Sequence, residues 1–438
     1  MARILPEAAA VLKNLETAGY EAYLVGGCVR DLLRGETPAD WDIATSALPE
    51  QTMALFRGDA LPTGLQHGTV TVRRGGMSFE VTTYRLDGTY ADCRHPDSVT
   101  FTPSLFEDLQ RRDFTVNAMA MSRAGVLQDP FGGQEDLHSG VLRCVGAPRR
   151  RFSEDALRIL RALRFSAVLG FSVEGETAAA AHAMAPLLDK VAAERLREEL
   201  LKLLCGKNVV PVLLEYPDVL GVFIPELLPA VGCDQRNRHH CYTVWEHIAR
   251  SVGFAAPESV LRMTMLLHDL GKPACMTLDE AGEGHFKGHA AVSCTMSRTI
   301  LQRLRFDKRS AEQILTLVKR HDAPIEPTER AMRRLLNRLG EEGARQLLQV
   351  KRADNLAQAP AYHGRQREID ALETLLQSVL DQEECFSLRQ LAVNGDDLLA
   401  LGYRGKAVGE ALQFLLDQVL DGAAPNEKAA LLAALQKK

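Results

Sequence analysis

The stretch from Tyr23 to Glu50, YLVGGCVRDLLRGETPADWDIATSALPE, constrains this chain more than any other. Its apolar run Tyr23-Leu24-Val25 reads as a buried strand that ends at Gly26-Gly27. A short amphipathic helix with Val29, Leu32 and Leu33 on its apolar face follows, and a turn at 35–38 leads to Asp40-Trp41-Asp42-Ile43. Paired glycines let the backbone approach a phosphate closely and adopt positive φ. The helix behind them aims its first N–H groups at an anion, and Arg30 adds a charged fork suited to phosphate oxygens. Asp40 and Asp42 lie two apart on an extended segment and point to the same side. Convergent carboxylates repel unless a cation neutralises them, and hard oxygen ligands suit Mg²⁺. Either element alone would read as a turn or as two solvated acids. Together, and in this order, they predict nucleotide chemistry.

Gly26-Gly27-Cys28-Val29-Arg30-Asp31 followed by Asp40-Trp41-Asp42 resembles the signature of the nucleotidyltransferase superfamily. Within it, the pattern is similar to the class II branch of bacterial CCA-adding tRNA nucleotidyltransferases and poly(A) polymerases. Runs 69–73 and 78–85 flank Gly75-Gly76 and predict a β-hairpin. Glu80 on its second run is a candidate third carboxylate. Segment 87–96, DGTYADCRHP, reads as a mobile loop. It is similar to the flexible loop that the CCA-adding branch links to switching from C to A. Arg111-Arg112-Asp113-Phe114-Thr115-Val116-Asn117 resembles the branch's second motif, which implies contacts from Arg111, Asp113 and Asn117 to ribose and triphosphate.

A chain of 438 residues predicts two to four domains. Its net charge is −5, so a nucleic-acid partner requires a local basic surface. One candidate is the stretch from 141 to 165, which holds Arg143, Arg149, Arg150, Arg151, Arg158, Arg161 and Arg164. Residues 152–165 read as one helix with Ser153 as N-cap. Asp155 and Arg158 then fall three apart on a single face. Cytosine and adenine share an exocyclic amine beside an unprotonated ring nitrogen. A carboxylate can accept from that amine while a guanidinium donates to the nitrogen. Uracil and guanine invert both partners, and unmade polar contacts in a closed site are costly. The spacing Glu154-Asp155-x-x-Arg158 matches the branch's base-reading motif, with Arg161 as a helper. Residues 191–229 read as helical scaffold, with the charges of 193–200 on a wet face.

The histidines cluster further on. His247 precedes an apolar run that ends in His268-Asp269; His289, His321 and Asp354 follow. The order H…HD…H…H…D resembles the HD superfamily of metal-dependent phosphohydrolases. Imidazole and carboxylate together suit Mn²⁺, Ni²⁺ or Fe, so a second divalent metal is expected here. Hydrolysis of phosphoesters and a purely structural metal site both remain open. In the tail, 391–399 is similar to the segment that opens the tRNA-elbow domain of CCA-adding enzymes.

Nine cysteines without a C-x-x-C pair suit a reducing cytosol. The N-terminus reads as an amphipathic helix, not a signal peptide, and no apolar run spans a membrane. The expectation is an α+β chain. A nucleotidyltransferase head with a small mixed sheet (1–140) precedes an all-α neck (141–230), HD domain (231–360) and tail (361–438). The resemblance implies Mg²⁺-dependent, template-independent addition of CCA to tRNA in the cytoplasm, from CTP and ATP, with no membrane partner. The alternatives are a poly(A) polymerase, a C-only or A-only tRNA enzyme, and an HD phosphohydrolase with a vestigial head.

Overall fold

The computed structural model describes residues 4–87, 99–382 and 386–436. The loop at 87–96 therefore lies almost wholly outside the described residues. The chain divides into two compact units, 1–225 and 226–438.

The first unit is built on a mixed seven-stranded sheet. Helix α1 (Pro6–Thr17) opens with proline in its first turn, where a missing N–H costs nothing. It buries Ala8, Val11, Leu12 and Leu15 along one stripe. Strand β1 (Ala22–Val25) follows, then α2 (Gly27–Leu33), β2 (Asp42–Thr45), α3 (Pro49–Leu55), β3 (Ala60–Gly64), β4 (Thr69–Arg74) and β5 (Met77–Thr83). Gly75 and Gly76, with φ of 57° and 79°, form the two-residue turn between β4 and β5. Positive φ at both positions is what a tight right-twisted hairpin requires. A side ribbon pairs β6 (Arg85–Asp87) with β7 (Val99–Phe101). Helix α4 (Leu105–Gln110) and strands β8 (Ala120–Met121) and β9 (Leu127–Gln128) complete this part. The sheet order is β3-β4-β5-β2-β1-β8-β9. β2 and β5 run parallel and set Asp42 directly beside Glu80. The core under the sheet includes Leu24, Val29, Trp41, Ile43, Val70 and Phe79.

The rest of this unit is mainly helical: α5 (Gly133–Ser139), α6 (Pro148–Glu154), α7 (Leu157–Leu169), α8 (Gly175–Met184), α9 (Ala193–Leu204), α10 (Val209–Glu215) and α11 (Pro217–Gly221). One expectation is corrected here. Residues 152–165 are not one helix. Asp155 is extended (φ −137°, ψ 105°) and separates α6 from α7. Its Oδ1 accepts the Leu157 N–H at 3.1 Å, just ahead of the second helix, whose N-cap is Ala156. Ser153 lies inside α6, and its hydroxyl donates to the Arg150 carbonyl at 2.8 Å. A local side-chain hydrogen bond to the backbone competes with helix continuity there, which is why aspartate is poor inside helices.

The second unit is almost entirely helical. Thr243 and Glu246 form a reciprocal capping box that starts α12 (Val244–Phe254). Then come α13 (Ser259–Leu267), the short α14 (Lys272–Cys275), α15 (His289–Arg303), α16 (Lys308–Arg320) and α17 (Glu329–Leu356). Gly340 (φ 68°, ψ 176°) interrupts α17. The tail runs through α18 (Arg365–Asp381), α19 (Gly395–Ala400), α20 (Lys406–Leu420) and α21 (Lys428–Gln436). Its last three helices close a core of their own around Leu398, Leu415, Leu416 and Leu431. No described helix is long and apolar enough to cross a membrane.

Gly271 fixes how closely α15 approaches the end of α13. A Cβ there would stand 2.6 Å from both the His289 carbonyl oxygen and the Ser293 nitrogen. Gly271→Ala is expected to destabilise the protein by about 1–3 kcal/mol through this backbone clash. Thermal unfolding of the full chain measures it; an unchanged midpoint would contradict the tight packing described.

Candidate functional sites

A cavity of about 520 Å³ opens in the first unit. Gly26 sits at its floor with φ 73°, a conformation that favours glycine. A Cβ at this position would also come within 3.0 Å of Arg112 Nη1. Asp42, at the start of β2, and Glu80, on β5, line the same wall. Asp40 is exposed, two residues ahead of the strand, and is not part of that lining among the described residues. Burial pushes the Asp42 carboxyl above its ordinary value; Arg112 opposes this, and Glu80 and Asp40 reinforce it. Arg112 thus offsets only part of the cost of burying Asp42 beside Glu80. An oxygen-ligated divalent cation fits the remainder.

Eight arginines line the cavity: Arg30, Arg85, Arg111, Arg112, Arg158, Arg161, Arg164 and Arg195. Buried carboxylates hold several of them. Asp108, only 1% exposed, accepts from Arg111 Nη2 at 2.7 Å and Arg112 Nη2 at 3.2 Å. Asp113 Oδ2 takes two hydrogen bonds from Arg161, at 2.9 and 2.6 Å. Its Oδ1 accepts from the Phe114 backbone N–H and from Asn117 Nδ2. Asn117 Oδ1 in turn accepts from Arg30 Nη1 at 2.8 Å. A continuous network therefore joins Arg30, Asn117, Asp113 and Arg161. Burial alone would raise the Asp113 carboxyl, but the charge and hydrogen bonds of Arg161 outweigh it, and the group falls to about 2.

Asp155 and Arg158 both line the cavity but do not pair with each other through the one-helix geometry expected of them. Arg195 on α9 donates to Asp155 Oδ2 at 3.1 Å. Arg158 donates to Glu154 Oε2 at 2.8 Å and to the Arg111 carbonyl at 2.9 Å. Each is held by its own partner. Arg195 corrects the reading of 193–200 as scaffold with a wet charged face. It lies 40 residues from Asp155, and local periodicity carries no sign of that contact.

The second unit gathers the histidines. His247, His268, Asp269 and Asp354 form one group of potential ligands; Asp269, His289 and His321 form another. Asp269 belongs to both. His289 Nε2 lies 3.2 Å and His321 Nε2 3.5 Å from Asp269 Oδ1. His247 and His268 Nε2 each lie 3.3 Å from Asp269 Oδ2. His247 Nε2 is also 2.9 Å from Asp354 Oδ1. All four rings place Nδ1 against a main-chain carbonyl, at Ala357, Met265, Phe286 and Val318. Donation from Nδ1 turns each Nε2 lone pair inward, the arrangement that orients metal-ligating histidines. Both Asp269 oxygens are turned into this cluster, and the residue is only 1% exposed. The donor set fits divalent metal. Burial works against a charged His268, yet Asp269 and Asp354 outweigh it and raise the ring to about 10. The sequence reading missed Lys272, whose Nζ lies 2.7 Å from Asp269 Oδ2. Its position three residues after Asp269, in HDLGK, was the available signal.

The profile of the poly A polymerase head domain matches residues 22–143. That described as "Probable RNA and SrmB- binding site of polymerase A" matches 170–230. A tRNA nucleotidyltransferase domain 2 profile matches 287–435. A solved Bacillus stearothermophilus CCA-adding enzyme in complex with CTP is 32% identical, with a TM-score of 0.77 over 99% of this chain and 98% of that one. The chain belongs to the family of CCA-adding enzymes. A CCA-adding enzyme of Leuconostoc mesenteroides is 46% identical over 57% of this chain and 63% of its own length. Another, from Lactobacillus delbrueckii, is 51% identical over 47% and 52%. The chain thus spans little more than half the length of the curated CCA-adding enzymes it matches. The α+β class expected from sequence agrees with the sheet and helices described above and with the fold of this family.

The Asp113–Arg161 pair generates a pH prediction. A carboxyl held at about 2 when folded, against about 3.9 when unfolded, contributes roughly 2–3 kcal/mol. Because the folded value is depressed, the contribution is present above pH ~4 and is lost as pH falls towards ~2. Denaturant titrations across this window should find a shallower acid loss in Asp113→Asn than in the parent. Parallel curves would contradict the pairing.

Proposed function

We propose that this protein adds C, C and A to the 3′ end of tRNA without a nucleic-acid template. One observation carries the reading: a single arginine-lined cavity gathers Gly26, Gly27, Asp42, Asp113, Asn117, Asp155 and Arg158. Membership of the CCA-adding family supports it. In this reading residues 1–140 form the head, 141–230 the neck, 231–360 the histidine module and 361–438 the tail that grips tRNA. The substrates are CTP, ATP and tRNA, and the cytoplasm is the expected compartment.

Asp40 and Asp42, with Glu80 beside them, would hold Mg²⁺. When bound, Mg²⁺ would lower the pKa of the primer 3′-hydroxyl and neutralise charge on the triphosphate. Gly26 and Gly27 leave room for phosphate oxygens, and the α2 backbone N–H groups face them. Arg30 and Arg111 hold the triphosphate, and pyrophosphate leaves from it. Asp113 and Asn117 orient Arg30 and Arg161 and meet the ribose. Asp155 accepts from the exocyclic amine of C or A, while Arg158 donates to the adjacent ring nitrogen. Arg195 and Glu154 keep both readers oriented before a nucleotide enters.

Extension of a tRNA transcript lacking CCA tests this. CTP alone should add two residues, and CTP with ATP three. A long ATP ladder would mean poly(A) synthesis. Extension restricted to transcripts that already end in CC would mean an A-only enzyme. Asp155→Ala should narrow the preference for CTP and ATP over UTP by about 10²-fold or more, as expected when a reading contact is removed. Unchanged rejection of UTP would refute the base-reading role.

A second reading rests on the two ligand groups sharing Asp269. We propose that the histidine module binds divalent metal (Mn²⁺, Ni²⁺ or Fe) and hydrolyses phosphoesters. Asp269→Asn should lose the bound metal measured by elemental analysis, while tRNA extension continues. Full metal content in that variant would remove this reading.

A further inference from the structure

The arginine-lined cavity contains an aromatic ring that the scheme above leaves without a role. Phe165 lies on α7, is 6% exposed and lines the cavity. Three guanidinium groups stand around its ring. Arg164 is 3.9 Å from the centroid, Arg161 5.3 Å and Arg30 5.4 Å. Phe114, next to Asp113, meets the ring nearly edge-on at 5.8 Å and 79°. The three arginines come from two elements, α2 and α7, and all face the same cavity.

Such a gathering of like charge resists itself. Burial lowers the pKa of Arg164, Arg161 and Arg30 lower it further, and Glu199 opposes them. The nearby carboxylates are already engaged: Asp31 with Arg30, Asp113 with Arg161, and Glu199 with Arg164. A further carboxylate at position 165 would hold the cluster but would also cancel its charge and compete with an incoming anion. An aromatic face attracts cations through its quadrupole and adds no net negative charge. It therefore fixes the three groups while leaving the site electropositive.

We propose that Phe165 is a positioning residue for the triphosphate, holding Arg30, Arg161 and Arg164 as a preformed array. The inference rests on the nucleotide-transfer reading of this cavity. Phe165 touches no reacting atom, and Asp155 and Arg158 are not among the groups on its ring; Arg161, the helper in the base-reading motif, is turned here to Asp113 rather than to Asp155 or Arg158. Its effect should therefore fall equally on CTP and ATP and leave base selection alone.

The test replaces Phe165 in the full chain with phenylalanine carrying one, two or three ring fluorines. The ring keeps nearly the same volume while its π face is progressively drained. Steady-state kcat and KM for CTP and ATP are read beside thermal unfolding. KM for both nucleotides should climb stepwise to about tenfold, the loss expected of several cation–π contacts. The unfolding midpoint and kcat should move little. Phe165→Tyr, which keeps the face, should retain most of the affinity, and Phe165→Leu should fall with the trifluoro ring. A flat KM across the fluorine series overturns the proposal, even if Phe165→Leu fails to fold. An inactive parent protein would overturn the nucleotide-transfer reading instead. The same series read by equilibrium binding of inorganic tripolyphosphate would then still decide the role of the ring.

Discussion

The ion pair between Asp113 and Arg161 joins two parts of the first unit that are distant in sequence. Asp113 belongs to the segment that follows α4, and Arg161 to α7; their side chains meet at 2.6 Å. The cavity between them carries twice as many arginines as carboxylates on its wall. Left alone, that wall would repel itself. Buried acids placed behind it, Asp108 and Glu199 among them, make it tenable and keep their oxygens turned to arginine. The result is a positive surface whose side chains are already oriented, which lowers the ordering cost of receiving a polyanion.

The same logic governs Asp155 and Arg158, the proposed base readers. A lone Asp–Arg pair on a helix would satisfy itself and have little left for a nucleotide. Here a break in the backbone at Asp155 separates the two, and each is tethered elsewhere, to Arg195 and to Glu154. Fixed donors and acceptors of this kind can discriminate by hydrogen-bond polarity, because a mismatched base leaves them unmade. In the proposed reading, a protein surface of this form takes the place of a template strand.

Where structure depends on local chemistry, the sequence was readable. Gly26-Gly27, the Gly75-Gly76 hairpin and the helix after Val25 are set by backbone freedom and short-range patterning. The order of His247, His268, Asp269, His289, His321 and Asp354 marked these residues as candidates for one cluster, and the fold gathers them. What was not legible depends on contacts across long separations. Periodicity runs smoothly through 152–165, so nothing local announces that the backbone turns extended at Asp155 and breaks the helix in two. Arg195 looks like any wet-face charge until α9 packs beside α7. That Asp269 serves two histidine pairs follows only from the close approach that Gly271 permits between α15 and the end of α13. Phe165 was one apolar residue in a buried stripe, with nothing in the sequence to mark the arginines around it.

The central claim is that side chains of this chain read the incoming base. Structures of the protein with CTP bound, and separately with ATP bound, test it most directly. The account predicts that in both the exocyclic amine lies within hydrogen-bond distance of Asp155 and the adjacent ring nitrogen faces the Arg158 guanidinium. A base held away from both residues, or read by different groups in the two complexes, would contradict it.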